Sequence, residues 1–163
     1  MTGIEIDNIK PVTKALFTGE AFDRLAVLEA SFSTLYTVDL DCRVNEKYIE
    51  GDEPGEGLYS DGLVLWKTIR PLCFDIIKGK KLPVSFKIIF KIPQSGVANF
   101  ISKKNLPFRA EDVAGLFINV KYENGKLTCV TGTSLKTFSM DKSLEQAWDE
   151  AAAKFINRIQ QES

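Results

Sequence analysis

"KYENGKLTCVTGTSLKTF", residues 121–138, admits two readings that lead to different folds. A phosphate-cradling loop needs four residues between its two glycines and a lysine directly after the second. Here Gly125 and Gly132 have six residues between them and Thr133 follows, so that reading fails. Asn124-Gly125 is instead the pair that a two-residue type I′ hairpin turn requires, because both central residues adopt positive φ. Such a turn sets Glu123 against Lys126, Tyr122 against Leu127, Val120 against Cys129 and Ile118 against Thr131, which gathers the apolar positions on one face. The stretch predicts two long antiparallel strands.

Upstream, Val84, Phe86, Ile88, Phe90 and Ile92 alternate with Ser85, Lys87, Ile89 and Lys91, the period of a strand with a lysine face toward solvent. From Ala26 to Val44 the even positions are mostly apolar, including Ala26, Leu28, Ala30, Phe32, Tyr36, Leu40 and Cys42. That length exceeds one ordinary strand, so two strands are expected with a reversal near Ser33 to Leu35. Ile4 to Asp7 reads as a further short strand. Leu63 to Arg70 is read as another, because a proline inside a helix costs ~3 kcal/mol and a helix is better placed from Pro71 to Lys78, with Leu72, Cys73 and Ile76 toward the core.

Pro11 suits the first turn of a helix that Gly19 stops, with Val12, Ala15 and Leu16 as its apolar face. Ser95 is expected to cap a short helix carrying Val97, Phe100 and Ile101. Leu144, Ala147, Trp148, Ala151, Phe155 and Ile159 recur at helical spacing and predict a C-terminal amphipathic helix. Burying Trp148 and Phe155 against a sheet is worth roughly 1.5 to 3 kcal/mol each. Residues 50–60 are acidic and rich in turn formers, and a flexible exposed loop is expected there. The sum is an α+β fold over residues 1–163, read as a single domain: a mostly antiparallel sheet covered by helices.

Composition narrows the chemistry. The chain has no histidine, which removes Ser-His-Asp and Cys-His catalysis and His-based zinc sites. Its three cysteines are odd in number and widely spaced, which suits reduced, buried thiols in a cytoplasmic protein. The start lacks a signal-peptide pattern and no apolar run is long enough to cross a bilayer, so no membrane partner is expected. Charge is segregated: residues 1–63 hold thirteen acidic and five basic side chains (−8), residues 64–140 four and thirteen (+9), and the remainder five and three (−2). Either a basic binding surface or two mutually neutralising segments accounts for that pattern.

Two constellations qualify as candidate sites. Lys78, Lys80 and Lys81 surround Gly79, and Lys103 and Lys104 form a second group; at one edge of the sheet they would meet phosphates, though without the aromatic platform of single-strand binders. Asp39 and Asp41 share a strand face and would suit a divalent cation. Their calcium-loop match fails, however, because Val44 stands where the sharp turn needs glycine. No cofactor and no catalytic residue is assigned.

"RPLCFDIIKGKKLPVSFK" (residues 70–87) and "GLFINVKYENGKLTCVTGTSLKTFSMDKSLEQAWDE" (residues 115–150) resemble a bacterial family known only as a domain of unknown function. The element order is also similar to one domain of a DNA sliding clamp, a likeness of fold that implies no shared activity. The expected function is non-enzymatic contact with a macromolecular partner. Nucleic-acid binding through the lysines and a metal-dependent enzyme or small-molecule binder using Asp39 and Asp41 are the alternatives.

Overall fold

Every pairing implied by the Asn124-Gly125 turn is present in the computed structural model, which describes residues 1–51 and 57–162. Asn124 and Gly125 both take positive φ, 54° and 73°. In chain order the elements are β1 (Gly3–Ile6), α1 (Ile9–Phe17), β2 (Ala26–Ser33), β3 (Thr37–Asp41), the one-turn α2 (Glu46–Ile49), β4 (Tyr59–Ser60), β5 (Leu63–Val64), α3 (Trp66–Ile77), β6 (Ser85–Lys91), α4 (Gln94–Lys103), β7 (Val113–Glu123), β8 (Lys126–Leu135) and α5 (Ser143–Gln161). Six strands form one sheet in the order β1-β8-β7-β6-β2-β3, with every neighbouring pair antiparallel. The fold is α+β, and β4 and β5 make a separate two-stranded ribbon. Of the acidic loop expected at 50–60, residues 52–56 lie outside the described residues, while Tyr59 and Ser60 belong to that ribbon.

One face of the sheet carries the core. Phe32, Phe86, Ile88, Phe90, Ile118, Val120, Leu127 and Cys129 project there, and α1, α3, α4 and α5 bury Leu16, Trp66, Val97, Trp148 and Ile156 against them. Trp148 is 7% exposed and donates its indole N–H to the Phe117 carbonyl at 3.0 Å, so α5 lies on the sheet as its apolar stripe implies. The other face presents Glu29, Ile89, Phe117 and Val130, none of which belongs to the core cluster.

The structure corrects the reading at several points. Helix α3 starts at Trp66 and carries Pro71 inside it, where a strand to Arg70 is expected. The proline penalty is offset by tertiary contacts: the Trp66 indole is fully buried, and Arg70 makes a two-pronged ion pair with Asp23 at 2.9 and 3.0 Å. Leu72 is then 52% exposed rather than in the core. A bulge between Val27 and Glu29 moves Ala26 and Leu28 off the main core face and onto Leu63 and Leu65 of the ribbon segment. The reversal does fall at Ser33 to Leu35, but it leaves Tyr36 in solvent, and Val84 precedes its strand and is also exposed. Ser95 lies within α4; the cap comes from across the fold, where the Asp61 carboxylate accepts the Gln94 backbone N–H at 2.7 Å.

Candidate docking surface

Two loops meet at one end of the sheet. The turn between β2 and β3 is closed by a hydrogen bond from the Thr34 N–H to the Tyr36 carbonyl, 2.8 Å. Beside it runs the segment 78–84, tied in by the Val84 N–H donating to the Ser33 carbonyl at 2.8 Å. Gly79 takes φ 153° where the chain leaves α3, and Pro83 stiffens the approach to β6.

These loops expose four large apolar side chains: Leu35 at 97%, Tyr36 at 63%, Leu82 at 81% and Val84 at 69%. Scattered single leucines are ordinary on a surface, whereas apolar side chains gathered on adjoining loops mark a contact site. The same loop holds Lys78, Lys80 and Lys81, all exposed. Lys78, which caps the C-terminus of α3, pairs with Asp75 of that helix at 2.9 Å. Lys80 and Lys81 make no ion pair among the described residues, so two lysine cations flank the apolar tips.

Lys103 and Lys104 close α4, where a cation suits the negative end of the helix dipole. Helix α4 begins beyond Lys91, at the opposite end of β6 from Ser85, so the two lysine groups lie on different connections of that strand. Asp39 and Asp41 do project from one face of β3. Each is locally engaged: the Ser31 hydroxyl donates to Asp39 at 2.7 Å, and the Arg43 guanidinium grips Asp41 at 2.7 and 3.0 Å. Hydrogen bonds from Arg43 hold the Asp41 carboxyl at about 2. Among the described residues no group of three or more Cys, Asp or Glu is placed to hold a metal ion.

The thiols are packing groups. Burial pushes Cys42 up to about 11 and Cys73 and Cys129 up to about 12, which leaves no thiolate at neutral pH. Sequence reasoning finds the lysines of this surface but misses Leu35, Tyr36, Leu82 and Val84. The available signal was the placement of Leu35-Tyr36 at the reversal and of Leu82 between two lysines and a proline, positions that have no strand partner to cover them.

The architecture defines an α+β protein whose antiparallel sheet carries α1, α3, α4 and α5 on one face. Residues 15–162 match the model of the "Family of unknown function (DUF5721)", and the chain belongs to that family. No curated protein and no solved structure matches it.

Proposed function

We propose that this protein is a non-enzymatic, cytoplasmic docking module that captures an acidic, amphipathic segment of another protein. The site is the end of the sheet built from Leu35, Tyr36, Leu82 and Val84 with Lys80 and Lys81 beside them. The supporting observation is the exposure of those four apolar side chains on two loops joined by a backbone hydrogen bond. Apolar anchors with a charged rim are the parts that carry protein–protein affinity. Three of the four anchors are aliphatic and only Tyr36 offers a ring for base stacking, which favours a protein over a nucleic acid. A likeness of element order to one domain of a DNA sliding clamp belongs to the same proposal, as similarity of fold alone.

The test places a photo-crosslinking amino acid at Tyr36, identifies the captured protein by mass spectrometry, and titrates the captured segment against purified protein. Leu35→Ser/Leu82→Ser is expected to abolish binding, and Lys80→Glu/Lys81→Glu to weaken it with loss of its salt dependence. Unchanged affinity in the apolar variant, or salt-sensitive binding of single-stranded or duplex DNA at this end, overturns the reading.

A further inference from the structure

The face of the sheet turned away from the helices has an ordered charge pattern. Along one line across the strands stand Asp39 on β3, Ser31 on β2, Lys87 on β6 and Lys121 on β7, each opposite the next in register. Along the next line stand Asp41, Glu29, Ile89 and Asn119. Along these two lines acidic side chains occupy the β2–β3 half and lysines the β6–β7 half, while Glu123 stands one line further along β7. Between them lies a shallow hollow of about 290 Å³ lined by Glu29, Ser31, Asp39, Lys87, Lys121 and Glu123.

We propose that this face binds a second copy of the chain, face to face about a two-fold axis lying in the interface, parallel to the strands and between β2 and β6. Rotation about that axis exchanges the two halves. It lays β3 of each copy over β7 of the other and sets Asp39 against Lys121 twice, as a self-complementary interface requires. Packed sheets lie about 10 Å apart, a gap that an aspartate and an extended lysine span.

The internal pairs on this face do not stand in the way. Lys87 lies 3.6 Å from Glu29 and Lys121 3.1 Å from Glu123, with all four side chains about half exposed, and exposed pairs are weak enough to be exchanged. Asp41 is held by Arg43, which leaves Asp39 as the acidic contact. A phosphate polymer fits the face less well, because any strand crossing the lysines would also run against the acidic half. A copy of the chain supplies the matching arrangement without another partner.

Sedimentation velocity across a dilution series tests the pairing. Wild type is expected to pass from monomer to dimer as concentration rises. Asp39→Lys and Lys121→Asp should each weaken the dimer by about tenfold or more, equivalent to ~1.4 kcal/mol, and the combined charge swap should restore it. Ser31→Arg, which adds bulk between the copies and a cation beside Asp39 that competes with Lys121 of the other copy, provides a second disrupting variant. Unfolding midpoints of all variants are measured alongside, so that a loss of fold is not counted as a loss of pairing. A monomer at every concentration, a dimer indifferent to all three single changes, or a double variant no better than its parents overturns the proposal. Leu35→Ser/Leu82→Ser should leave the dimer intact, so failure here and failure of the docking end are separate results. A dimer lost in that apolar variant would place the contact at the loops and also overturn the proposal.

Discussion

The indole N–H of Trp66 donates to the main-chain carbonyl of Leu16 at 2.7 Å, with both residues fully buried. That bond ties the first residue of α3 to the last turn of α1, and the Trp66 ring packs edge-on against Phe17 and Phe90. Replacing Trp66 by Phe keeps a ring but removes the donor, leaving a buried carbonyl without its partner. The expected loss is about 1–3 kcal/mol, read as a lower urea midpoint with an unchanged slope.

Asp61 performs two tasks. It adopts φ 54° in the Asp61-Gly62 turn of the ribbon, and its carboxylate caps α4 at Gln94. Asp61→Gly retains the turn and loses the cap, whereas Asp61→Ala loses both. Denaturation should show the alanine variant as the less stable of the two, with a total loss of about 1–2 kcal/mol. Equal losses would mean that the turn contributes nothing.

Asn119 stands between Ile89 and Val130 on the face away from the helices, and its covered carboxamide oxygen has no hydrogen-bond partner among the described residues. Asn119→Val removes that acceptor and places a β-branched residue in the strand. A gain of about 1 kcal/mol is expected, visible as a higher thermal midpoint. A lower midpoint would show that the amide is held by something the valine cannot replace.

Alkaline pH should destabilise the fold through its thiols. In the folded chain Cys73 and Cys129 stay protonated to about 12, against an ordinary value of 9.0. Between those values the folded state binds more protons than the unfolded one, so stability is complete below about 9 and declines as pH rises toward 12. Denaturation midpoints measured across that window should fall, and Cys129→Ala should fall less. At pH 8 a thiol reagent should label the cysteines only after denaturant is added.

Much of the fold was legible because it rests on local rules. The type I′ turn at Asn124-Gly125 fixes the register of β7 and β8, and the alternation from Phe86 to Phe90 reports one buried face. The start of α3 was not legible, because the local cost of Pro71 is outweighed by partners fifty residues away for Trp66 and forty-seven for Arg70. The bulge beside Leu28 has no local signature, since period two continues through it. Asp61-Gly62 carries the same kind of turn signal as Asn124-Gly125, but its flanking strands of two residues each give no alternating run to mark a hairpin. Of the docking end, the lysines stand out in the sequence. The apolar tips do not, because a leucine in solvent looks the same on paper as a leucine in a core.

Strand β1 pairs with β8, joining residues 3–6 to residues 127–130. During synthesis the first strand must therefore wait, unpaired, until most of the chain has left the ribosome. Closing so long a loop is slow. Until β8 arrives the strand's backbone groups have no sheet neighbour, which makes it a natural place for a chaperone to act.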